Sequence, residues 1–113
     1  MRPLTLVLVD DHAVVRRGLR TYLESFADIT VVGEAASAEA LLERLELWLP
    51  DVVLLDLLLP GGMDGIEATR RVRRLAPQTR VVVLTAHTDA ARLFGALRAG
   101  AIGYVRKDAE PAV

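Results

Sequence analysis

Five polar residues of this 113-residue chain stand at or near the ends of apolar segments, and their types indicate chemistry on a phosphoryl group. Asp10 and Asp11 directly follow the run LTLVLV, and Asp56 lies within the run VVLLDLLL. Thr85 ends the run VVVLT, and Lys107 comes two residues after the run AIGYV. An ionised carboxylate among apolar residues costs several kcal/mol unless a cation neutralises it. The position of Asp56 therefore predicts an ammonium group or a metal ion nearby.

Three carboxylates in one place bind protons more tightly unless a cation offsets their repulsion. Their oxygen atoms favour a hard divalent ion, Mg²⁺ or Mn²⁺, whose shell is completed by water and a backbone carbonyl. With such an ion in place, Asp56 could attack a phosphoryl group as a nucleophile. The Thr85 hydroxyl and the Lys107 ammonium could each contact a phosphoryl oxygen. These five residues are of the types needed to form an aspartyl phosphate.

The elements that must position these residues alternate between two hydrophobic periods. Apolar runs without polar alternation predict strands covered on both faces, at 4–9, 29–33, 52–55, 81–84 and 101–105. Stripes at helical spacing predict helices at 12–26, 38–48, 65–75 and 89–98, with Ser37 and Thr88 as N-caps and Gly100 as a stop. Right-handed crossovers then give an α/β fold, a doubly wound five-stranded parallel sheet of flavodoxin-like order 2-1-3-4-5.

In that order, strands one and three are neighbours, so Asp10, Asp11 and Asp56 should converge at their carboxyl ends. Each residue alone has a simpler explanation. The paired acids could cap the first helix, Lys107 could be a solvated charge, and Thr85 could be present because threonine favours strands. All five, however, fall at one end of the predicted sheet, which favours a single shared site.

Composition limits the function further. The net charge of −1 and pI of about 6.1 do not resemble a nucleic-acid-binding domain or a polybasic membrane surface. Cysteine is absent, which excludes a disulfide scaffold, Cys-ligated metals and a catalytic thiol. The N-terminal apolar run of residues 4–9 is too short for a signal peptide or a membrane span. We expect one cytoplasmic domain over 1–113.

The motifs VLVDDHAVVRRGLR, DVVLLDLLLPGGMDGIEA, VVVLTAHTD and GYVRKD resemble the signature segments of receiver domains of bacterial two-component response regulators. VDDHAVVRRGL and VGEA are further similar to the NarL/FixJ group, whose output domain is a LuxR-type helix-turn-helix. The resemblance implies that a sensor histidine kinase phosphorylates Asp56. It also implies that Asp10, Asp11, Asp56 and the backbone carbonyl of Leu58 hold Mg²⁺, and that Thr85 and Lys107 engage the phosphoryl group.

The resemblance also implies a switch. Thr85 would move toward the phosphoryl group and Tyr104 would turn inward, which alters the face made by helix four and strand five, a face that could form a homodimer. The chain would then be a phosphoacceptor, with self-phosphorylation and autodephosphorylation only, rather than an enzyme acting on an external substrate. DNA would be reached only through an output domain outside this chain, and no membrane would be involved.

Two departures from the family pattern stand out. Gly61 and Gly62 make the loop after Asp56 one residue longer than usual, and the chain ends at KDAEPAV, with Asp108 as a possible N-cap and the fifth helix largely missing. We therefore expect a C-terminally truncated receiver. A degenerate receiver that binds proteins without phosphorylation remains the alternative. A dinucleotide-binding domain lacks its glycine-rich turn here, and a dehalogenase-type phosphatase lacks its Asp-x-Asp pattern.

Four residues receive weaker interpretations. His12 follows the acids at the start of a helix, and we expect a partly exposed helix-start residue rather than a ligand. Arg16 and Arg17 could contact a kinase or could simply be solvated. Leu58 offers no polar group to orient an attacking water, which predicts a long-lived phosphorylated state.

Overall fold

The predicted alternation of strands and helices is present in the computed structural model, which describes residues 2–85 and 90–107. The strands are β1 (Leu4–Val9), β2 (Ile29–Ala35), β3 (Val52–Asp56), β4 (Arg80–Thr85) and β5 (Gly103–Arg106). The helices are α1 (Ala13–Glu24), α2 (Ala38–Trp48), α3 (Gly65–Leu75) and α4 (Ala90–Ala99). The five strands form one parallel sheet of order β2-β1-β3-β4-β5, which confirms the predicted topology.

The register of the sheet brings the carboxyl ends of its central strands to one level. Val9 at the end of β1 pairs with Leu55 of β3, and Asp56 pairs with Leu84 of β4. Thr85, the last residue of β4, pairs with Arg106 at the end of β5. Residues that follow β1, β3, β4 and β5 therefore leave the sheet at the same edge.

Both faces of the central strands are covered, which explains why these strands lack polar alternation. One face packs against α2, α3 and α4 in a core that includes Val7, Val9, Val53, Leu55, Val81, Val83, Leu41, Leu45 and Val72. The other face packs against α1 through a smaller cluster of Leu6, Leu8, Val31, Leu54 and Leu84, with Leu19 and Leu23 beside it. The apolar runs of the sequence thus form the sheet, and the stripes at helical spacing form the helices on its two faces.

Side-chain caps and glycine fix the helix ends as the sequence predicts. The Ser37 hydroxyl accepts a hydrogen bond from the Ala40 amide at 3.1 Å, and Gly100 ends α4 with a φ of 119°. The proposed caps Thr88 and Asp108 lie outside the described residues. Within residues 2–85 and 90–107, no helix is both long and apolar enough to cross a bilayer.

Several element boundaries differ from the sequence prediction. The first helix ends at Glu24 rather than at 26, because the Ser25 amide and hydroxyl both bond to the Tyr22 carbonyl in a closing turn. Strand β2 continues to Ala35 because its register with β1 shifts and then resumes to Val9. Strand β5 begins at Gly103 rather than at 101, since Ala101 still bonds back to α4.

Candidate functional site

The carboxyl ends of the strands bring the predicted site residues together. Asp10 follows β1 directly and Asp56 is the last residue of β3; both side chains are buried. Thr85 ends β4 and is also buried, and Lys107 follows β5. Asp11 lies beside Asp10 and is half-buried. The strand order predicted from sequence therefore places these five residues at one edge of the sheet.

Lys107 contacts the ends of three strands, two through its ammonium group and one through its backbone amide. Its Nζ atom is 2.8 Å from Asp56 Oδ2 and 3.1 Å from Asp10 Oδ2, and its backbone amide donates to the Thr85 carbonyl at 3.0 Å. Burial lowers the pKa of Lys107, but its contacts with Asp56 and Asp10 outweigh that effect, so the pKa is raised overall. Lys107 is therefore positively charged between two carboxylates.

Asp56 is held by one donor on each carboxylate oxygen. Lys107 contacts Oδ2, and the Leu58 amide donates to Oδ1 at 3.0 Å. Burial raises the pKa of Asp56 and the nearby Asp10 charge adds to the increase, while the contacts with Lys107 and Leu58 oppose it without cancelling it. Asp10, Asp11 and Asp56 form what we call the acidic site. These three carboxylates face the single ammonium group of Lys107, so negative charge remains in excess.

Asp10 and Asp11 do not cap α1 in the way the simpler explanation proposed. Asp10 Oδ1 accepts a hydrogen bond at 2.8 Å from the amide of His12, which precedes the helix, rather than from a helical amide. Asp10 Oδ2 and Asp11 Oδ1 are buried and accept no well-formed hydrogen bond from residues 2–85 or 90–107, although Asp10 Oδ2 keeps its ion pair with Lys107. Buried polar atoms without donors favour a bound cation.

The donor set fits a divalent metal ion. One ligand atom from each of Asp10, Asp11, His12 and Asp56 lies within 4.8 Å of the others. Three of these donors are carboxylates, the ligands that Mg²⁺ and Mn²⁺ prefer. The Leu58 carbonyl stays a predicted ligand, since only the contact of the Leu58 amide is defined here.

Sequence reasoning missed two participants at the start of α1. The ring of His12 is largely exposed, as expected, yet its Nδ1 atom contacts both Asp10 and Asp11. Arg16 Nη1 donates to the Asp10 carbonyl at 2.6 Å, and its Nε donates to Glu34 Oε1 at 2.8 Å. The spacing of four residues puts His12 and Arg16 on one helix face, but it does not show that this face lies beside Asp10. Arg16 is therefore engaged inside the molecule, whereas Arg17 is exposed.

The longer loop after β3 is tied to the start of α2. Gly61 has a φ of 80°, a conformation that favours glycine, and Gly62 packs against the Glu39 carboxylate. Glu39 Oε2 accepts a hydrogen bond from the Met63 amide at 2.7 Å, which lowers the pKa of Glu39. Asp64 then caps α3 through the Glu67 amide at 2.9 Å. The loop thus accommodates the extra glycine at 61–62 before α3 begins.

Two residues with predicted regulatory roles are exposed. The side chain of Leu58 is 43% exposed beside Asp56, and that of Tyr104 is 52% exposed on β5. Tyr104 is three residues before Lys107 on the strand that leads to the site. The outward orientation of Tyr104 is one of the two orientations that the predicted switch would use.

Comparisons with known proteins agree with this fold. Residues 6–113 match the response regulator receiver domain family. YhcZ of Bacillus subtilis, an uncharacterized transcriptional regulatory protein, is 44% identical over 108 residues, or 96% of this chain and 50% of that protein. The nitrate/nitrite response regulator protein NarL of Escherichia coli is 40% identical over 109 residues, with coverage of 96% and 50%. The signal receiver domain of NarL from Mycobacterium tuberculosis has a TM-score of 0.90 at 38% identity, covering 99% of this chain and 90% of that one.

The chain therefore belongs to the response regulator receiver domain family and is most similar to receivers of the NarL type. Receivers of this family are modules of two-component signalling rather than enzymes that turn over an external substrate. The chain spans about half the length of the curated relatives that it matches.

Proposed function

We propose that this chain is a phosphoacceptor receiver in which a sensor histidine kinase, or a small phosphodonor, phosphorylates Asp56. The observation that carries this proposal is the position of Asp56, buried with Asp10 and 2.8 Å from the Lys107 ammonium. A carboxylate at the carboxyl end of a strand can reach a phosphoryl group, and the cation beside it stabilises the negative charge of both groups as they approach.

The chemistry requires few groups. A carboxylate oxygen of Asp56 forms the new bond to phosphorus, while the bond from phosphorus to the histidine nitrogen of the kinase breaks. Hydrolysis reverses the modification when water attacks phosphorus and inorganic phosphate leaves. Lys107 stabilises negative charge on the phosphoryl oxygens, and Thr85 donates its hydroxyl. A Mg²⁺ ion held by Asp10, Asp11, Asp56 and the Leu58 carbonyl would neutralise charge on both reactants.

The output of this reaction would be a change in the face formed by α4 and β5. Thr85 and Lys107 reach the phosphoryl group from the ends of β4 and β5, and Tyr104 lies on the same β5 strand. Contact with the phosphoryl group would favour the state in which Tyr104 is buried. We expect a cytoplasmic protein in which this face controls a separate DNA-binding output domain, with a homodimer as one means of activation.

The test is the intact mass of the purified protein after incubation with Mg²⁺ and acetyl phosphate. We expect the mass to increase by one phosphoryl group, and we expect no increase for Asp56→Asn or when a chelator removes the metal. The variant is a matched control because asparagine keeps the shape of the side chain and loses only the nucleophilic carboxylate. A folded wild-type protein that gains no mass from acetyl phosphate or from phosphorylated kinases would instead favour the phosphorylation-independent binding module.

A further inference from the structure

Arg16 makes two side-chain hydrogen bonds that join three elements of the fold. Its Nη1 atom donates to the Asp10 carbonyl at 2.6 Å, and its Nε atom donates to Glu34 Oε1 at 2.8 Å. Arg16 belongs to α1, Asp10 directly follows β1, and Glu34 lies near the end of β2. The side chain of Arg16 is only 20% exposed. The guanidinium group therefore ties the first helix to the ends of two strands.

The Asp10 carbonyl is part of the peptide group that joins Asp10 to Asp11. Because this group is planar, the direction of the carbonyl determines how the chain passes from one acid to the next. Strand β1 pairs with its two neighbours as far as Val9, and the Asp10 amide makes a last bond to the Ala35 carbonyl at 3.1 Å. Beyond this point, Arg16 supplies the contact that orients the peptide group between the two acids.

The position of the Asp10 carboxylate depends on that backbone. Its Oδ1 atom accepts a hydrogen bond from the His12 amide at 2.8 Å, and its Oδ2 atom is 3.1 Å from Lys107 Nζ. Asp11 and Asp56 carry negative charge as well, so repulsion acts to move Asp10 out of the acidic site. A fixed backbone at Asp10 opposes this movement and keeps the carboxylate beside Lys107.

The start of α1 has little other support at this point. His12 makes no side-chain cap, the first turn contains no acidic residue, and no residue of α1 is fully buried. A helix start without a cap or close packing tends to fray. Arg16 lies within the first turn and bonds back to Asp10, so its side chain supplies the link between helix and strand that a cap does not.

Arg20 provides a natural comparison one turn further along α1. Its Nη1 atom donates to Glu34 Oε2 at 2.6 Å, and its Nη2 atom donates to the Val31 carbonyl at 3.3 Å. Its Nε atom donates to Glu24 within the helix. Arg20 thus links α1 to β2 through the same glutamate, but these contacts do not include a residue of the acidic site.

We propose that Arg16 is a positioning residue for the phosphorylation of Asp56. It fixes the peptide group between Asp10 and Asp11, while Glu34 holds the other side of its guanidinium group. The effect on the reaction rests on the proposed function, whereas the effect on Asp10 does not. Geometry rather than charge carries this role, because the ammonium of a lysine cannot reproduce the planar fork that reaches two acceptors at once.

The first experiment follows the position of Asp10 through Lys107, the single lysine of the chain. In metal-free protein labelled with ¹³C-lysine, we expect Arg16→Ala and Arg16→Lys to shift the Cε resonance of Lys107. Arg20→Ala should leave the resonance in place, and urea unfolding shows that each variant is folded.

Lys107 lies beyond β5 and outside α1, so a helix that loosens without moving Asp10 does not change its signal. A Lys107 resonance that stays in place in both Arg16 variants would therefore overturn the proposal. A shift of the same size in Arg20→Ala would also overturn it, because the effect would then belong to the general link between α1 and β2.

The second experiment measures the rate of phosphorylation by acetyl phosphate, a donor that needs no docking to α1, over a range of Mg²⁺ concentrations. At limiting Mg²⁺ we expect both Arg16 variants to react at least about tenfold more slowly than wild type, and Arg20→Ala to stay within about twofold of it. Equal rates in all variants would contradict a role for Arg16 in the reaction. If the wild-type protein is not phosphorylated, the proposed function fails, while the Lys107 resonance still decides whether Arg16 positions Asp10.

Discussion

At the scale of single residues, Asp56 carries a charge that its surroundings do not fully offset. Burial raises its pKa, and the ion pair with Lys107 does not restore the ordinary value. A raised pKa in the folded state means that the fold binds the proton of this group more tightly than the unfolded chain does. Asp56 therefore favours folding at low pH, and this contribution is lost as the pH rises through its folded pKa.

We predict that Asp56→Asn stabilises the metal-free protein at pH 7 by roughly 1 kcal/mol, because asparagine removes a buried charge but keeps the side-chain shape. The advantage should shrink as the pH falls below the raised pKa of Asp56, where the wild-type carboxyl becomes neutral. Urea unfolding at several pH values measures the difference. Mg²⁺ should stabilise the wild type more than the variant, and a variant that is less stable at every pH would contradict the argument.

We also predict that Leu58 prolongs the life of the phosphorylated state. Its side chain lies beside Asp56 and offers no hydrogen-bonding group to an attacking water. Leu58→Asn should shorten the half-life of the phosphorylated protein several-fold, measured by intact mass after the phosphodonor is removed. Leu58→Ala removes bulk without adding a polar group, so a similar acceleration in that variant would show that access of water, rather than its orientation, sets the rate.

At the scale of elements, strand β3 has an aspartate near each end, and their surroundings shift the two pKa values in opposite directions. Asp51, before the strand, accepts hydrogen bonds from Arg2 at 2.7 and 2.8 Å and from the Thr5 amide at 2.8 Å. Its own backbone bonds to Thr5 of β1 and to Arg80 of β4. Arg2 and Thr5 hold the pKa of Asp51 well below its usual range, whereas burial raises that of Asp56. The ionised carboxylate of Asp51 therefore stabilises the fold at the end of the sheet opposite the acidic site.

Asp51→Asn is expected to destabilise the protein at pH 7 by about 1–2 kcal/mol, a modest value because Arg2 is largely exposed. The lowered pKa means that the stabilisation is present above the unfolded pKa of about 3.9 and is lost as the pH falls below it. The two proteins should thus approach equal stability in acid, as measured by urea unfolding. Asp28→Asn removes one charge at the same end of the sheet and should have little effect.

The sequence predicted some elements to the residue and missed others for identifiable reasons. Helices α2 and α3 and strand β1 match the prediction because a cap, a glycine or a pair of acids marks their ends. Strand β2 was predicted to end at Gly33 because Glu34 interrupts the apolar run, although its pairing with β1 continues to Ala35. Strand β5 was predicted too early because Ala101 is apolar, although its amide still bonds to Ala96 of α4 rather than to the sheet.

The site could be predicted in outline because strand order alone brings the ends of β1 and β3 together. The contacts of His12 and Arg16 could not, because they depend on where α1 begins relative to Asp10. Asp51 was likewise overlooked, since its partner Arg2 is 49 residues away in the chain. Long-range polar contacts of this kind leave no periodic signal in a sequence.

At the scale of the whole molecule, the sheet joins the acidic site to an exposed apolar face. Lys107 follows β5, and Tyr104 and Val105 of the same strand are 52% and 43% exposed. Phe94 and Leu97 of α4 are also exposed, at 64% and 38%. A movement of Lys107 toward a phosphoryl group would therefore act on a strand that carries two exposed apolar side chains, Tyr104 and Val105.

We predict that phosphorylation protects Tyr104 from chemical acetylation, because the proposed switch would bury its ring. Tyr22 is a control in the same chain, half-buried and packed edge-on against Phe26 with ring centroids 5.3 Å apart. Peptide mass spectrometry should show slower acetylation of Tyr104 by several-fold and an unchanged rate for Tyr22. Unaltered reactivity of Tyr104 in fully phosphorylated protein would refute the switch, and Asp56→Asn should show no protection.

The packing of Trp48 over Gly33 determines what the fluorescence of this protein can report. Trp48 is the single tryptophan, and a Cβ added at Gly33 would collide with its indole. Gly33 pairs with Val7, three residues and about 10 Å along β1 from Asp10. The emission therefore follows the contact between α2 and β2 and should respond little to ions at the acidic site. The same optical signal can then measure unfolding with and without metal, free of interference from the binding it is used to assess.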